Sequence, residues 1–222
     1  MLINHLKIGV VFVQLNDVIV SRKSIRNFSK SDISFDELEK ILNAGIMAPS
    51  AKNRQPWYFY IIKDDKTKQE FIRNAKYGIE QLSRRFKKMN VSRYDITSAL
   101  KSFEIANQAA AIILVSYKKK YNNVFDDGVN WNLQAIDIEV ADILSIGAAI
   151  ENMLLKATDM GYGTLWVCDI FYAYPQITKF IKATDPIVSA VYIGKSNESP
   201  INRPRLKIDE ISCLLNEEKL YE

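Results

Sequence analysis

Ala48-Pro49-Ser50-Ala51-Lys52-Asn53-Arg54-Gln55-Pro56-Trp57 is the stretch on which the fold reading turns. Upstream of it, Ser34 followed by Glu37 has the spacing of a capping box. Leu38, Ile41, Leu42 and Gly45 then continue a helical stripe, which predicts a helix stopping near Pro49. Downstream, Trp57 to Ile62 reads as a strand rich in aromatic and β-branched residues. The decapeptide is therefore a proline-bounded loop between a helix and a strand, carrying Ser, Asn and Gln.

Outward from this loop the chain mixes helices with few strands. Ala111 to Tyr117 is a compact apolar run ending in lysines, as expected of a buried strand, and Val188 to Ile193 and Thr164 to Cys168 are two further candidates. Phe71, Ile79, Leu82 and Phe86 recur at mostly helical spacing among many charges, so Thr67 to Phe103 reads as surface helices or a mobile lid. From Ile136 to Met160 apolar residues wrap most of a helix circumference, ending at Gly161. Such a helix needs cover on nearly all sides, which predicts that part of it is buried at a subunit interface. No repeat or linker divides the chain, so residues 15–222 are expected to form one domain, with residues 1–14 as an N-terminal extension.

Composition excludes several classes. The net charge of +4 comes from charges of both signs interspersed along 222 residues, which does not call for a nucleic-acid partner. Short basic runs such as Lys118-Lys119-Lys120 read as solvated faces. Cys168 and Cys213 are too few for a disulfide framework, have no zinc-type spacing and suit a reducing compartment. The sole histidine, His5, lies in the N-terminal stretch, which leaves a His-dependent nucleophilic centre poorly anchored. The apolar run Ile8 to Val13 is far short of a membrane span and lacks an export cleavage pattern, so a cytoplasmic protein is expected.

Four segments carry candidate chemistry. Arg22-Lys23-Ser24-Ile25-Arg26-Asn27-Phe28 offers three cations and a hydroxyl, enough for a phosphate cradle. Read alone, the simpler account is a basic helix terminus meeting its own carbonyls. In the opening loop, Asn and Gln suit the edge of a flavin, whose isoalloxazine alternates donors and acceptors around O2, N3 and O4. The commoner fate of such residues is turn formation, with Trp57 in the core. Gly161-Tyr162-Gly163-Thr164-Leu165-Trp166-Val167-Cys168-Asp169 joins the long helix to a strand through a turn where backbone could approach a planar ligand, or could simply cap the helix. Asn202-Arg203-Pro204-Arg205 is a polar loop whose two arginines could close a phosphate site or stand in solvent.

All four segments, in this order, resemble the signature stations of the nitroreductase family of flavoproteins, over roughly Leu15 to Ile211. The resemblance implies an α+β fold, with a central mostly antiparallel sheet flanked by helices, in an interlocked homodimer. It implies that Arg22, Ser24 and Arg205 hold the phosphate of FMN, helped by Lys23 and Arg203, with Arg26 beside the flavin N1/O2 edge. The loop of Pro49, Ser50, Ala51, Asn53 and Gln55 would complete the partner subunit's site. The Trp166, Val167, Cys168, Asp169 backbone would lie along the flavin, with an amide near Cys168 or Asp169 directed at N5.

The activity implied is ping-pong hydride transfer from NADH or NADPH through flavin N5 to a nitroaromatic, quinone or similar small flat acceptor, with the flavin doing the chemistry and no metal or obligatory side-chain acid. Related readings on the same motifs are flavin-dependent dehydrogenation, dehalogenation or enone reduction, or a flavin-binding protein without turnover. The acceptor pocket would draw on Tyr77, Phe86, Tyr94, Phe103 or Phe125. The chain departs from the family pattern at Cys168-Asp169, where many relatives carry Gly or Glu-Gly, and Cys168 reads first as an inert core thiol.

Overall fold

Strand β3 (Ala111–Tyr117) is buried at every residue, and the rest of the architecture follows from covering its two faces. In the computed structural model the described residues are 14–89, 96–118 and 132–215, with the side chains of 132–138 outside the description. His5, Tyr94, Phe125, the run 8–13 and residues 1–13 of the expected extension also lie outside the described residues.

β3 pairs on one edge with β2 (Trp57–Ile62) and on the other with β5 (Ile187–Ser196). β5 is long enough to serve three partners: β3, then β4 (Gly163–Val167) along its other edge, and β1 (Phe28–Ser29) at its final two residues. All these strand pairings are antiparallel. The two-residue side-chain period then sorts the strands between two cores. Ile112, Leu114, Ala190 and Tyr192 face one core, and Ala111, Ile113, Val115, Val191 and Ile193 face the other.

The first core is covered by α3 (Asp65–Lys88), α4 (Ile96–Ala106) and α6 (Tyr174–Phe180). Thr67 to Phe103 is thus no mobile lid over its described parts, because Phe71, Ile72, Ala75 and Ile79 of α3 and Phe103 of α4 are buried. Most of its charges sit on the outer side of α3, with Lys68 buried, while Phe71 and Ile79 of the stripe read at helical spacing face inward. Phe103 is fully buried against Phe71 and cannot line an acceptor pocket; Tyr77 stays exposed and Phe86 half-buried.

The second core is covered by α2 (Phe35–Ile46) and α5 (Asn132–Asp159), which cross closely: a Cβ added at Gly45 would stand 2.7 Å from Met153 Cγ. α5 buries Ile146, Ala149, Ile150, Met153, Leu154 and Ala157 on one side and leaves Val140, Ile143 and Leu144 uncovered by this single chain. It ends as its sequence predicts, with Gly161 at φ 74° and the Tyr162 amide donating to Ala157 O at 2.8 Å.

The capping box of α2 is present, Ser34 Oγ accepting from the Glu37 amide while Glu37 accepts in return from the Ser34 amide at 2.9 Å. The Tyr162 hydroxyl also donates to Glu37, at 2.8 Å. Backbone and side-chain bonds from Ser34, then the bond from Tyr162, hold the Glu37 carboxyl down at about 2, and burial with the bond to Glu37 pushes the Tyr162 phenol up to about 12. A carboxylate lowered from 4.5 to about 2 stabilises the fold above pH 4.5 and loses that contribution as pH falls toward 2. Denaturant midpoints of the wild type should therefore fall more steeply between those pH values than those of Glu37→Gln; parallel curves would contradict this coupling.

Candidate functional site

The first and last motifs, far apart in sequence, line one cleft. α1 (Leu15–Ser21) ends at Arg22, whose amide donates to Val18 O at 2.9 Å. The chain then runs beside β4: Ser24 bridges Thr164 in parallel, and the Ile25 amide donates to Thr164 O at 2.9 Å. Ile25 is buried against Gly163, where an added Cβ would lie 2.6 Å from Ile25 Cγ1, so only glycine permits this approach. With Ile25 turned inward, Ser24 and Arg26 on either side of it face outward.

The opposite wall is the segment after β5. The Asn197 amide donates to Asn27 O at 2.9 Å, and Glu198 Oε1 accepts the backbone amides of Arg26 and, at 3.2 Å, Asn27. This clasp draws the loop of Arg203 and Arg205 against the first motif. Arg22, Lys23, Ser24, Arg26, Arg203 and Arg205, with Glu151 and Glu198, line an open cleft of about 770 Å³. Among the described residues five cations there face two carboxylates, a net positive lining suited to an anion.

The cations are not equally free. Lys23 Nζ donates to Val20 O at 2.8 Å, which engages one of its three N–H groups at its own helix terminus. Arg26 Nη1 donates to Ser24 O at 3.3 Å, and Arg22 Nε stands 3.5 Å from Glu151 Oε1. Arg203 and Arg205 are exposed.

The loop of Pro49, Ser50, Ala51, Asn53 and Gln55 does not line this cleft within one chain. It is fastened to α5 instead: the Ala51 amide donates to Ser145 Oγ at 3.4 Å, and Arg54 Nε donates to Asp142 Oδ1 at 2.7 Å. Asp142 also accepts from the Tyr117 hydroxyl at 3.3 Å, and burial followed by the charge of Asp142 raises that phenol above its ordinary value. On α5 these anchors precede Glu151 by roughly 9–14 Å of helix axis. The loop itself is strained. Lys52, Asn53 and Gln55 all have positive φ, at 51°, 53° and 48°, and Ser50 Oγ and Asn53 Oδ1 tie Gln55 in place. Such strain persists where surrounding structure enforces a shape, as at binding sites.

The third motif meets α5 between the loop's anchor at Ser145 and Glu151: a Cβ added at Gly147 would stand 4.0 Å from Trp166 Cη2. Leu165 and Val167 point into the core while Trp166 and Cys168 are exposed. Cys168 is thus not a core thiol: the strand alternation that buries Val167 turns its neighbour out. Asp169 accepts a hydrogen bond from Ser102 of α4, tying the exit of β4 to the helical layer.

Arg54, Glu151 and Glu198 escaped the sequence reading. The signal for the first was available, since Asp142 interrupts an otherwise apolar helical run and a buried acid needs a cation. A larger depression of about 1010 Å³, lined in part by Lys63, Lys68, Gln69 and Asn107, is a weaker candidate because its charges answer one another. Lys63 meets Asp32 at 2.7 Å and Lys68 meets Asp65 at 2.8 Å. Among the described residues no group of His, Cys, Asp and Glu is placed to hold a metal, and no helix is long and apolar enough to cross a membrane.

The model of the nitroreductase family matches residues 19–195. The chain belongs to the nitroreductase family. A family relative from Archaeoglobus fulgidus, provisionally named NADH dehydrogenase/NAD(P)H nitroreductase, is 28% identical over 150 residues, which is 68% of this chain and 64% of that protein. The match therefore spans a little under two thirds of that relative. Among nitroreductase-like structures, a BluB-like flavoprotein from Clostridium difficile superposes with a TM-score of 0.79 at 23% identity, covering 92% of this chain and all of the other. A provisionally named nitroreductase from Desulfovibrio desulfuricans, solved in complex with FMN, gives 0.64 at 25% identity, covering 93% and 98%.

The Arg54–Asp142 pair, with side chains 8% and 4% exposed, is the anchor that sets the strained loop. Arg54→Ala leaves Asp142 buried without its cation and should cost about 3–5 kcal/mol in denaturant unfolding. A cost near zero would show that the loop is held otherwise.

Proposed function

We propose that this chain is an FMN-dependent oxidoreductase that draws electrons from NADH or NADPH and delivers them to a nitroaromatic, quinone or similar small flat acceptor. The observation that carries this reading is the convergence of Arg22, Ser24 and Arg26 with Arg203 and Arg205 on one cleft. A phosphomonoester near its dianionic form needs several fixed donors, and guanidinium forks with a hydroxyl match it in charge and geometry. The donor set therefore fits the phosphate end of FMN.

Within this reading each segment has a task. Arg22, Ser24 and Arg205 would hold the phosphate with help from Lys23 and Arg203, and Arg26 would supply a cation to the N1/O2 edge of the ring. The backbone from Trp166 through Val167 and Cys168 to Asp169 would hold the ring, with an amide near Cys168 or Asp169 available to N5. FMN, when bound, supplies the two-electron chemistry. The protein's part is to fix the ring and leave one side open for donor and acceptor in turn.

The protein is proposed to work as a homodimer in which Pro49, Ser50, Ala51, Asn53 and Gln55 complete the partner's site. Two features support this. The strained loop stands apart from its own chain's phosphate cleft, and Met47, Val140, Ile143 and Leu144 leave apolar surface uncovered near it. Burying such a surface against a second copy is the ordinary fate of an exposed apolar patch of this kind.

FMN titration followed by mixing with NADH and NADPH tests the reading. The loaded protein should be yellow, bleach with at least one nicotinamide and regain colour with a nitroaromatic or quinone. Arg22→Ala and Arg205→Ala should each weaken FMN binding by about 1.5–3 kcal/mol. Bound flavin that neither nicotinamide bleaches would leave a flavin-binding protein without turnover, and unchanged affinity in both variants would remove the phosphate assignment.

A further inference from the structure

The cationic cleft contains a carboxylate that performs no evident structural task. Among the described residues two acids line it, and they differ. Glu198 accepts two backbone amides and holds the walls together. Glu151 has a single partner among the described residues, Arg22, with Oε1 and Nε 3.5 Å apart. That is well beyond the roughly 2.7–2.9 Å of a charge-assisted hydrogen bond, so Glu151 does not lock the guanidinium in one pose. What remains is its charge. The Arg22 side chain is 20% exposed and that of Glu151 44%, which leaves the pair partly solvated and the field only partly screened.

Glu151 cannot simply withdraw. Its neighbours Ile150, Met153 and Leu154 are buried in the second core, which fixes this turn of α5 beside the cleft. Rotation of the side chain is the freedom left to it. A phosphate reaching Arg22 must therefore share the guanidinium's charge with a carboxylate 3.5 Å from Nε and remain beside that negative charge.

We propose that Glu151 is a built-in charge competitor for Arg22, weakening the hold of this cleft on a phosphomonoester and so keeping the bound flavin nucleotide exchangeable. This rests on the reading of the cleft as the FMN phosphate site. The competition acts on the phosphate alone, so it should be invisible to riboflavin, which has the same ring and no phosphate. It depends on charge rather than shape, so Glu151→Asp should resemble the wild type, while Glu151→Gln, which keeps the shape, should not.

Quenching of flavin fluorescence by the flavin-free protein measures the effect directly. Glu151→Gln should bind FMN about three- to tenfold more tightly than the wild type, the scale of one like-charge contact in a partly solvated site. Glu151→Ala should tighten in the same direction, Glu151→Asp should stay within twofold of the wild type, and riboflavin affinity should be the same in all four proteins. Inorganic phosphate should compete with FMN more effectively in Glu151→Gln. FMN affinity unchanged or lowered in both Glu151→Gln and Glu151→Ala would overturn the proposal, as would equal tightening for riboflavin. A folded wild type that takes up neither flavin would instead remove the FMN reading, and this inference with it.

Discussion

The structure depends on one long strand meeting three partners. β5 completes the sheet beside β3, receives β4 on its other edge and pairs β1 at its end, and its continuation is caught by Glu198 on the backbone of Arg26 and Asn27. Because β4 in turn pairs with Ser24 and Ile25, the stretches around Ser24 and Glu198 are brought to one place by backbone hydrogen bonds. The cations at that place repel one another and would not gather unaided. Rigid backbone pairing, with Gly163 allowing Ile25 its close approach, holds them there despite that repulsion.

A second constraint runs along α5. One side of this helix closes the sheet core, while its polar interruptions perform separate tasks: Asp142 and Ser145 fasten the strained loop, and Glu151 faces the anion cleft. A shift of α5 would move both the loop and the cleft's acidic wall. The exposed residues Val140, Ile143 and Leu144 lie on the portion that bears the loop, so the same helix could carry a subunit contact to the site.

Much of this was legible in the sequence. β2 and β3 begin and end where the apolar runs Trp57 to Ile62 and Ala111 to Tyr117 do, because each ends at a lysine, Lys63 or Lys118, and Pro56 precedes β2. The capping box and the glycine at 161 mark helix ends through local chemistry that tertiary context did not override. β1 was not legible, since two residues carry no period. α3 was legible as helical spacing at Phe71, Ile79, Leu82 and Phe86, but the charges spread over its 24 positions left open whether it packs as a helix or moves as a lid. The cationic residues could be named from the sequence, but Glu151 and Glu198 could not. Their importance comes from which elements they face, and a lone glutamate gives no sign of that. Cys168 was misjudged because the end of β4 turns it outward, one position beyond the buried Val167.

The claim on which all of this bears is that one phosphate is held jointly by the first and last motifs. A crystal structure of the protein grown with FMN tests it most directly. The account predicts phosphate oxygens within hydrogen-bonding distance of Arg22, Ser24 and Arg205, and a second copy's loop around Asn53 against the ring. Flavin bound in another cavity, with the Arg22–Arg205 cleft holding only solvent, would contradict it.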